Sequence, residues 1–486
     1  MRHDIYQEPL VGRYTSKDMQ QIFSDDFKFQ GWRGCWIALA EAEMELGIDR
    51  IKPEMIAEMR AAQNNINYDV AGKRESEIRH DVMAHVYAFG QQCPTAAGII
   101  HLGATSMYVG DNTDLIQQRQ AMQLVKKGLV NVINNMAQIA EAHKNMPCLG
   151  YTHLQPAQPT TVGKRVASYI QDLLLDLESV ESIRFLARGA KGTTGTQASF
   201  LELFDGNYRK VRELDRLVCE KLGFEESYPI TNQTYPRKHD TKVAEALGGI
   251  GVSLHKFAID IRLLSGMKCV DEPFQVEQVG SSAMPYKRNP MRCERLTGFC
   301  RELTETVNHF YGMAQGQWLE RTLDDSAQRR MIIPRIFLTA DAALIIANNI
   351  TNQTATDKQR PLTFYPAVLR KHLMVELPFM TTERILMDLT REGHSRQDLH
   401  EKIRQHSVET GLAMKENGTD NNLFERLGND PTFPLSTEQL NAYLDDPLRY
   451  TGAAQQQTED FLEEVVRPRL EEYPDLIGKA DSEISV

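Results

Sequence analysis

Apolar residues recur at helical spacing along most of the chain. In the clearest stretch, from about Asp240 to Leu264, they alternate in steps of four and three, at Val243, Leu247, Ile250, Leu254, Phe257, Ile261 and Leu264. This heptad pattern predicts a long helix that buries one stripe against other helices. Gly248, Gly249 and Gly251 lie inside it, and each costs about 1 kcal/mol relative to alanine in a helix interior. We therefore expect neighbouring backbones to pack closely there.

Similar stripes predict four further long helices, at about Thr113 to His143, Val162 to Arg188, Arg295 to Ala314 and Ser326 to Ile350. Asp111 or Asn112 could cap the first, and Pro334 is expected near the first turn of the last helix or at a kink. Such helices reach about 40 Å at 1.5 Å per residue. One central bundle, which subunits could share, is the simplest way to bury their stripes.

The flanks of the chain contain shorter helical patterns and more breaks. Residues 1–105 are interrupted at Gly47, Pro53 and Pro94, and the chain from about residue 357 opens with KQRPLTFYP. We therefore predict an all-α fold of three helical domains, at residues 1–105, 106–356 and 357–486.

Composition limits the class of protein. The net charge of −11 argues against a general nucleic-acid binder, which needs a basic face. Seven cysteines without a C-x-x-C pair fit reduced thiols, so we expect a cytoplasmic protein. The N-terminus MRHDIYQEPL has no apolar signal region, and no apolar run approaches the roughly 20 residues that span a bilayer. We expect no membrane partner.

Donor-rich polar stretches interrupt the helical pattern. They are RHD at 79–81, GATSM at 103–107, YTHLQPAQPTTVGKR at 151–165, KGTTGTQAS at 191–199, NQTYPRK at 232–238, GSSAMPYKRNPM at 280–291 and WLERTLDDSAQRR at 318–330. Several lie at the ends of the long helices, so packing of those helices would gather them. Helix N-termini at that place would favour anions.

Several kinds of site are disfavoured. His80 and His85 are not spaced i, i+4 and have no acidic zinc motif beside them, so we expect no metal. GGIGVS at 248–253 does not follow a strand, so helix packing explains it better than a dinucleotide loop. No G-x-S-x-G elbow indicates a serine hydrolase.

Structural alternatives exist for other residues. His153 could be a satisfied structural histidine, LDD at 323–325 could cap a helix, and Arg329 and Arg330 could form a solvated face.

The stretch 280–291 is least like an ordinary connector. Pro285 and Pro290 stiffen it, and Gly280 lets the backbone turn tightly. The backbone amides and four side chains then offer donors and a positive charge, from Ser281, Ser282, Lys287 and Asn289. This design suits a carboxylate substrate whose charge grows during reaction.

GSSAMPYKRNP resembles the signature loop of the fumarase/aspartase superfamily, G-S-S-x-M-P-x-K-x-N-P. RHDVMAH, HLGATSMYVGDN, YTHLQPAQPTTVGKR, KGTTGTQASF and ERTLDDSAQRR together resemble the adenylosuccinate lyase family, in its eukaryotic-type form. The resemblance covers essentially the whole chain. It implies a homotetramer around a shared helix bundle, with each site drawn from three subunits. It also implies elimination of fumarate from N-succinyl purine nucleotides without a cofactor.

The resemblance assigns roles to residues. Ser281 would be the base that removes a proton beside a carboxylate, and His153 the acid that protonates the leaving nitrogen. Lys287 and the loop amides would stabilise the alkoxide of Ser281. Glu294 would orient His153 and favour its cationic form.

The same resemblance implies the substrate ligands. The succinyl carboxylates would be held by Thr105, Ser106, Lys287 and Asn289. The phosphate and ribose would be held by Arg13, Tyr14, Arg321, Ser326 and Arg330. The rest of the pocket would be lined by Arg79, His80, Asp81, Gln233 and Arg295. Arginines around a dianionic phosphate are physically expected.

Two alternatives remain. Another lyase of the superfamily, such as argininosuccinate lyase or fumarase, fits RHDVMAH and ERTLDDSAQRR poorly, and fumarase would have no phosphate for Arg321 and Arg330. A non-catalytic oligomeric scaffold, like the lens crystallins recruited from this superfamily, would not need Ser281, His153 and Glu294 intact.

Overall fold

The computed structural model describes residues 4–354 and 359–484, and helices dominate it. The helices before residue 106 are α1 (Pro9–Arg13), α2 (Lys17–Ile22), α3 (Asp25–Glu45), α4 (Pro53–Ala62), α5 (Tyr68–Ile78) and α6 (Asp81–Gln92). Those that follow, up to Thr351, are α7 (Ser106–Ala142), α8 (Val162–Glu181), α9 (Ala198–Leu203), α10 (Tyr208–Lys221), α11 (Lys238–Gly266), α12 (Met291–Gln315) and α13 (Asp324–Thr351).

The described C-terminal part contains seven further α-helices, of which only α16 exceeds 15 residues. They are α14 (Pro366–Met380), α15 (Thr382–Arg391), α16 (Arg396–Asn417), α17 (Leu423–Asn429), α18 (Thr437–Asn441), α19 (Ala454–Phe461) and α20 (Arg467–Glu471). A π-helical segment, Leu462–Val466, joins the last two, and 3-10 turns lie at Ala442–Leu444 and Pro447–Tyr450.

The strands of the described residues are short and antiparallel. The pairs are β1 (Pro147–Thr152) with β2 (Gln155–Thr161), β3 (Val270–Asp271) with β6 (Thr363–Phe364), and β4 (Phe274–Gln275) with β5 (Gln359–Arg360). No sheet in this part of the chain has more than two strands. The predicted all-α class is confirmed.

The five long helices α7, α8, α11, α12 and α13 pack around one large apolar core. The predicted stripe of α11 is buried from Val243 to Leu264. A Cβ added at Gly248 would lie 2.7 Å from Val307 Cγ2, and one at Gly251 would lie 3.2 Å from the Cys300 carbonyl oxygen. The glycines therefore let α11 and α12 approach closely, as predicted.

The start of α7 differs from the prediction. The helix begins at Ser106 rather than near Thr113, with Thr105 as its N-cap residue. Asp111 and Asn112 are not caps, because both are fully buried within the helix. Tertiary contacts replace the predicted capping: Asp111 accepts hydrogen bonds from Tyr235 and Arg237.

The end of α8 also differs from the prediction. The helix stops at Glu181, and not near Arg188. Beyond it, the Ala187 amide donates to the Glu226 carbonyl oxygen (2.9 Å) and the Tyr228 amide donates to the Ala187 carbonyl oxygen (2.9 Å). Pairing with residues 226–228 thus takes the backbone groups that a continued helix would use.

Pro334 is the eleventh residue of α13, which begins at Asp324, so the predicted position in the first turn is wrong, and the alternative of a kink stays a prediction. The same helix has a mean hydropathy of 1.6 over its most apolar part, which is enough by composition for a membrane span. However, 78% of that part is buried in the protein. Such burial is typical of a core helix in a bundle.

The division into three domains stays a prediction, and its boundary at 356/357 lies outside the described residues. A second apolar cluster joins side chains of α3, α4 and α6 to residues of α9 and α10, such as Phe200 and Leu214. A third cluster forms within residues 385–440. The N-terminal helices therefore share their core with a segment that follows α8 in sequence.

Candidate active site

The signature loop, residues 280–291, has no helix or strand before Met291, as predicted. Asn289 Nδ2 donates to the Gly280 carbonyl oxygen at 3.0 Å and ties the two ends of the loop. Ser281 Oγ accepts from the amides of Ala283 (3.4 Å) and Met284 (3.2 Å). Amide donors at this oxygen would stabilise negative charge on it.

Gly280 acts through close approach rather than through a left-handed turn. Its φ is not in the left-handed region. A Cβ at this position would lie 2.3 Å from the Lys287 carbonyl oxygen. The backbone bends at Gly280, and the absence of a side chain allows the two sides of the loop to touch.

A buried carboxylate fixes the start of α12, directly after the signature loop. Glu272 accepts from the amides of Arg292 (2.8 Å) and Cys293 (2.9 Å) at the start of α12. These amides have no partner within the helix, so the carboxylate caps its N-terminus. Glu294 follows in the first turn and is exposed.

Arg13, Tyr14 and Arg295 meet in one cleft of about 1130 Å³. Tyr14 packs edge-on against Phe299, with ring centroids 5.1 Å apart, and the Arg295 guanidinium lies 5.5 Å from the centre of the Tyr14 ring. Lys17 and Lys127 add further positive charge to the lining. The cleft is large enough for a ligand of nucleotide size.

Acidic residues share this cleft. Asp341 accepts a hydrogen bond from the Ser16 amide at 2.6 Å. Burial raises the pKa of Asp341 to about 6. Asp481 and Glu483, near the C-terminus, also line the cleft.

The second group of predicted residues lies where three helices begin, and we call it the helix-start cluster: His80, Asp81, Ser106, Arg321 and Arg330. His80 is the N-cap of α6, and its Nε2 lies 3.4 Å from Ser106 Oγ at the start of α7. Arg330 donates to Asp81 at 2.8 Å and comes from α13. A ligand here would meet helix N-termini and arginine together.

The remaining predicted ligands lie at or near this cluster. Arg79 precedes His80, is exposed and has a positive φ of 56° as the C-cap of α5. Thr105 is the N-cap of α7. Ser326 lies in the first turn of α13, and the Gln233 amide donates to the Glu320 carbonyl oxygen (3.2 Å), beside Arg321.

His153 lies in a turn that the sequence did not reveal. Within the polar stretch 151–165, residues 151–161 belong to the β1–β2 hairpin, whose two turn residues are His153 and Leu154. Both have positive φ, 54° and 56°, as a type I′ turn requires. His153 is exposed, and its side chain makes no hydrogen bond or ion pair with the described residues.

The predicted residues thus form separate groups within one chain. Ser16 contacts Asp341 on α13, whereas Arg330 lies eleven positions earlier on that helix (341 minus 330). Eleven residues correspond to about 16 Å of helix. Within residues 4–354 and 359–484, no hydrogen bond or ion pair joins His153 to Ser281 or Glu294.

Two charged residues next to the helix-start cluster, Asp325 and Arg329, form buried ion pairs that the sequence analysis did not predict. LDD at 323–325 forms no side-chain cap, contrary to the alternative of a helix cap, and Asp325 is buried between Arg237 and Arg321. The i, i+4 spacing of Arg321 and Asp325 was an available signal. Arg329 does not belong to a solvated face, because its side chain is buried and forms an ion pair with Asp114 (Nη2 to Oδ2, 2.8 Å).

No group of three or more His, Cys, Asp or Glu side chains in the described ranges could hold a metal ion. The seven cysteines are all free and buried.

Comparisons with known proteins agree with this architecture. The profile of a family described as Lyase matches residues 7–304, and that of the adenylosuccinate lyase C-terminus matches residues 378–461. The chain is 45% identical over 485 residues to the adenylosuccinate lyase of Schizosaccharomyces pombe, covering 99% of each chain. The chain belongs to the adenylosuccinate lyase family.

Other members of the adenylosuccinate lyase family have similar sequence identity to this chain. The Saccharomyces cerevisiae enzyme is 46% identical over 488 residues, covering 100% of this chain and 99% of its own. The Schistosoma mansoni enzyme is 45% identical over 479 residues, covering 97% of each.

Solved structures share the fold at lower identity. The 3-carboxy-cis,cis-muconate lactonizing enzyme of Pseudomonas putida has a TM-score of 0.80 at 24% identity, covering 96% of this chain and 100% of its own. The fumarate lyase of Mesorhizobium sp. BNC1 has a TM-score of 0.77 at 21% identity, covering 94% and 99%. These likenesses show that the chain shares its fold with these two enzymes.

Proposed function

We propose that this protein eliminates fumarate from adenylosuccinate, giving AMP, and from succinyl-aminoimidazole-carboxamide ribotide, giving the aminoimidazole-carboxamide ribotide. The observation that carries the proposal is the full-length identity of 45% to a relative named adenylosuccinate lyase. Both reactions belong to purine nucleotide synthesis, and no cofactor takes part in them.

The reaction is an anti β-elimination. Ser281 removes the proton from the carbon beside a succinyl carboxylate. The electron pair of the broken C–H bond forms the fumarate double bond as the C–N bond breaks. His153 donates a proton to the departing nitrogen. Serine is a very weak base unless its alkoxide is stabilised, and the amides of Ala283 and Met284 already donate to Ser281 Oγ.

Charges around the reacting centre have complementary roles. Lys287, on the signature loop, stabilises the alkoxide and, with Asn289, Thr105 and Ser106, holds the succinyl carboxylates. Glu294 hydrogen-bonds His153, orients its ring and favours its charged form.

The nucleotide side is held by the basic residues. The phosphate and ribose are bound by Arg13 and Tyr14 from the cleft, by Arg321 and Arg330 from the helix-start cluster, and by Ser326 in the first turn of α13. Arg79, His80, Asp81, Gln233 and Arg295 line the rest of the pocket. This arrangement explains how a chain of net charge −11 binds an anion: positive charge is concentrated locally.

The site is completed by assembly into a homotetramer. The supporting observation is that no hydrogen bond or ion pair among the described residues of one chain joins His153, Ser281 and the helix-start cluster. Helices of the central bundle would bring the hairpin of one subunit to the signature loop of another, so that three subunits supply each site. A cytoplasmic location is proposed from the seven free cysteines.

A direct assay tests the function. Purified protein is incubated with adenylosuccinate, and fumarate and AMP are quantified by mass spectrometry. We expect both products in equal amounts. Turnover of argininosuccinate or malate, with adenylosuccinate left intact, would instead assign the chain to another reaction of the superfamily.

A further inference from the structure

Asp325 lies between two arginines behind the helix-start cluster. Its Oδ1 accepts from Arg321 Nη1 at 2.7 Å, and its Oδ2 accepts from Arg237 Nε at 3.0 Å. The Asp325 side chain is 1% exposed, whereas that of Arg321 is 15% exposed. One buried carboxylate thus connects an interior arginine to a candidate substrate ligand.

Arg237 is itself fixed from the other side. Its Nη2 donates to Asp111 Oδ1 at 3.0 Å, and Asp111 Oδ2 accepts from the Tyr235 amide at 2.8 Å. Burial alone would lower the pKa of Arg237, but Asp111, Tyr235 and Asp325 raise it above its ordinary value, so Arg237 stays charged. Asp111 belongs to α7 and Arg237 precedes α11, so the starts of three long helices hold Asp325 in place.

This anchoring determines the orientation of the Arg321 guanidinium, which could otherwise rotate. A guanidinium carries five N–H groups in a planar fork, and the Asp325 bond uses one terminal nitrogen. The other terminal nitrogen lies 4.0 Å from Met107 Sδ, beside Ser106. Since Arg237 shares the carboxylate, the negative charge of Asp325 does not neutralise Arg321 alone.

We propose that Asp325 is a positioning residue that fixes the Arg321 guanidinium for the phosphate of the purine nucleotide. The proposal rests on the proposed function, in which Arg321 contacts that phosphate. Fixing a long side chain before binding reduces the ordering cost that binding would otherwise include. Asp325 itself does not touch the substrate.

The test compares two ligands that differ only in the phosphate. AMP and adenosine binding are measured by calorimetry on the assembled wild-type protein and on Asp325→Asn. We expect AMP binding to weaken about tenfold or more, as when a charge-assisted hydrogen bond loses its geometry. Adenosine binding should stay within about twofold of the wild-type value.

A double-mutant cycle separates positioning from general damage. In an Arg321→Ala background, Asp325→Asn should cause no further loss of AMP affinity, because the two changes remove one interaction. The matched control is Asp114→Asn, which removes a carboxylate paired with buried Arg329 at 2.8 Å in the neighbouring ion network. We expect this variant to bind AMP as the wild type does.

Four results would overturn the proposal: unchanged AMP affinity, equal losses for AMP and adenosine, additive losses in the double variant, or the same AMP loss in Asp114→Asn. If Asp325→Asn does not assemble, Asp325→Glu keeps the charge but moves the carboxylate, and it is judged by the same ligand comparison. Wild-type protein that neither cleaves adenylosuccinate nor binds AMP would refute the proposed function, and this inference with it.

Discussion

Asn289 Nδ2 and the Gly280 carbonyl oxygen lie 3.0 Å apart, so one side-chain hydrogen bond closes the base of the signature loop. The rest of the loop is exposed: Met284 is 48% exposed and Tyr286 83%. Met284, an apolar side chain at the centre of the loop, is therefore only half covered. The loop is tied at its ends and by an ion pair of Arg288 with Asp271 at 3.5 Å, and residues 282–287 between these ties are exposed.

This geometry predicts that the loop closes on ligand. Amides of residues 282–288 should exchange hydrogen rapidly in the free protein and slowly when AMP and fumarate are added, because carboxylates then receive the loop donors. Exchange within α12 should not change, which provides the internal control. Slow exchange without ligand would mean that the site is preformed and that no lid operates.

Alanine at His153 or at Ser281 should nearly abolish turnover. General acid–base groups contribute about 10²–10⁴-fold to rate. His153 is exposed and Ser281 only half-buried, so thermal unfolding and assembly should remain as in the wild type. His400→Ala, which removes an exposed histidine on α16, is the control. A variant of either candidate with near wild-type kcat would disprove its role.

Mixing these two inactive variants should restore activity. If His153 and Ser281 of one site come from different subunits, random exchange gives both intact residues in about a quarter of the sites. Activity is measured after mild dissociation and reassembly, with exchange followed by native mass spectrometry of isotope-labelled subunits. Complete exchange without any activity would contradict a shared site.

Glu43 should make stability depend on pH. Both of its carboxyl oxygens are buried without a hydrogen-bond partner among the described residues, and burial raises its pKa to about 9. The folded state therefore keeps a proton that the unfolded state releases near pH 4.3. Stability falls as pH rises from that value towards about 9.

Glu43→Gln, which cannot ionise, should remove this loss. The variant should unfold at a higher temperature than the wild type at pH 8, with a much smaller difference at pH 5. Equal differences at both pH values would show that Glu43 does not titrate in this range.

Asn131 should hold the C-terminal segment on the bundle. Its Nδ2 donates to the Leu476 carbonyl oxygen (2.8 Å) and its Oδ1 accepts from the Gly478 amide (2.7 Å). Asn131→Ala would leave both backbone groups without this partner, at a cost of about 1–3 kcal/mol. Chemical denaturation measures the cost, and limited proteolysis near residue 476 detects release of the segment.

Asn134→Ala is the matched control for that experiment. Asn134 lies on the same helix and makes no side-chain hydrogen bond to the described residues. The Asn134→Ala variant should have the same unfolding midpoint and the same pattern of proteolytic fragments as the wild type. Similar effects of both variants would argue against a specific role for Asn131.

The sequence by itself determined the long helices and the class of the fold. A heptad stripe such as Val243 to Leu264 can be buried only if it is helical, so its period specifies the element without any tertiary information. The glycines of α11 also predicted close packing of neighbouring backbones, because glycine lowers the stability of a helix interior. The signature loop was recognised from its residues alone.

Tertiary structure decided the boundaries and the grouping of the site. Asp111 looks like a cap in sequence, but Arg237 and Tyr235 reach it only in the fold. The turn at His153 lacks the Asn-Gly signal of a type I′ hairpin, so positive φ there could not be predicted. Asp325 acquires the distant Arg237 as a second partner, beside the nearby Arg321, because helices start side by side. Sequence periodicity reports local burial, whereas such contacts depend on how distant segments meet.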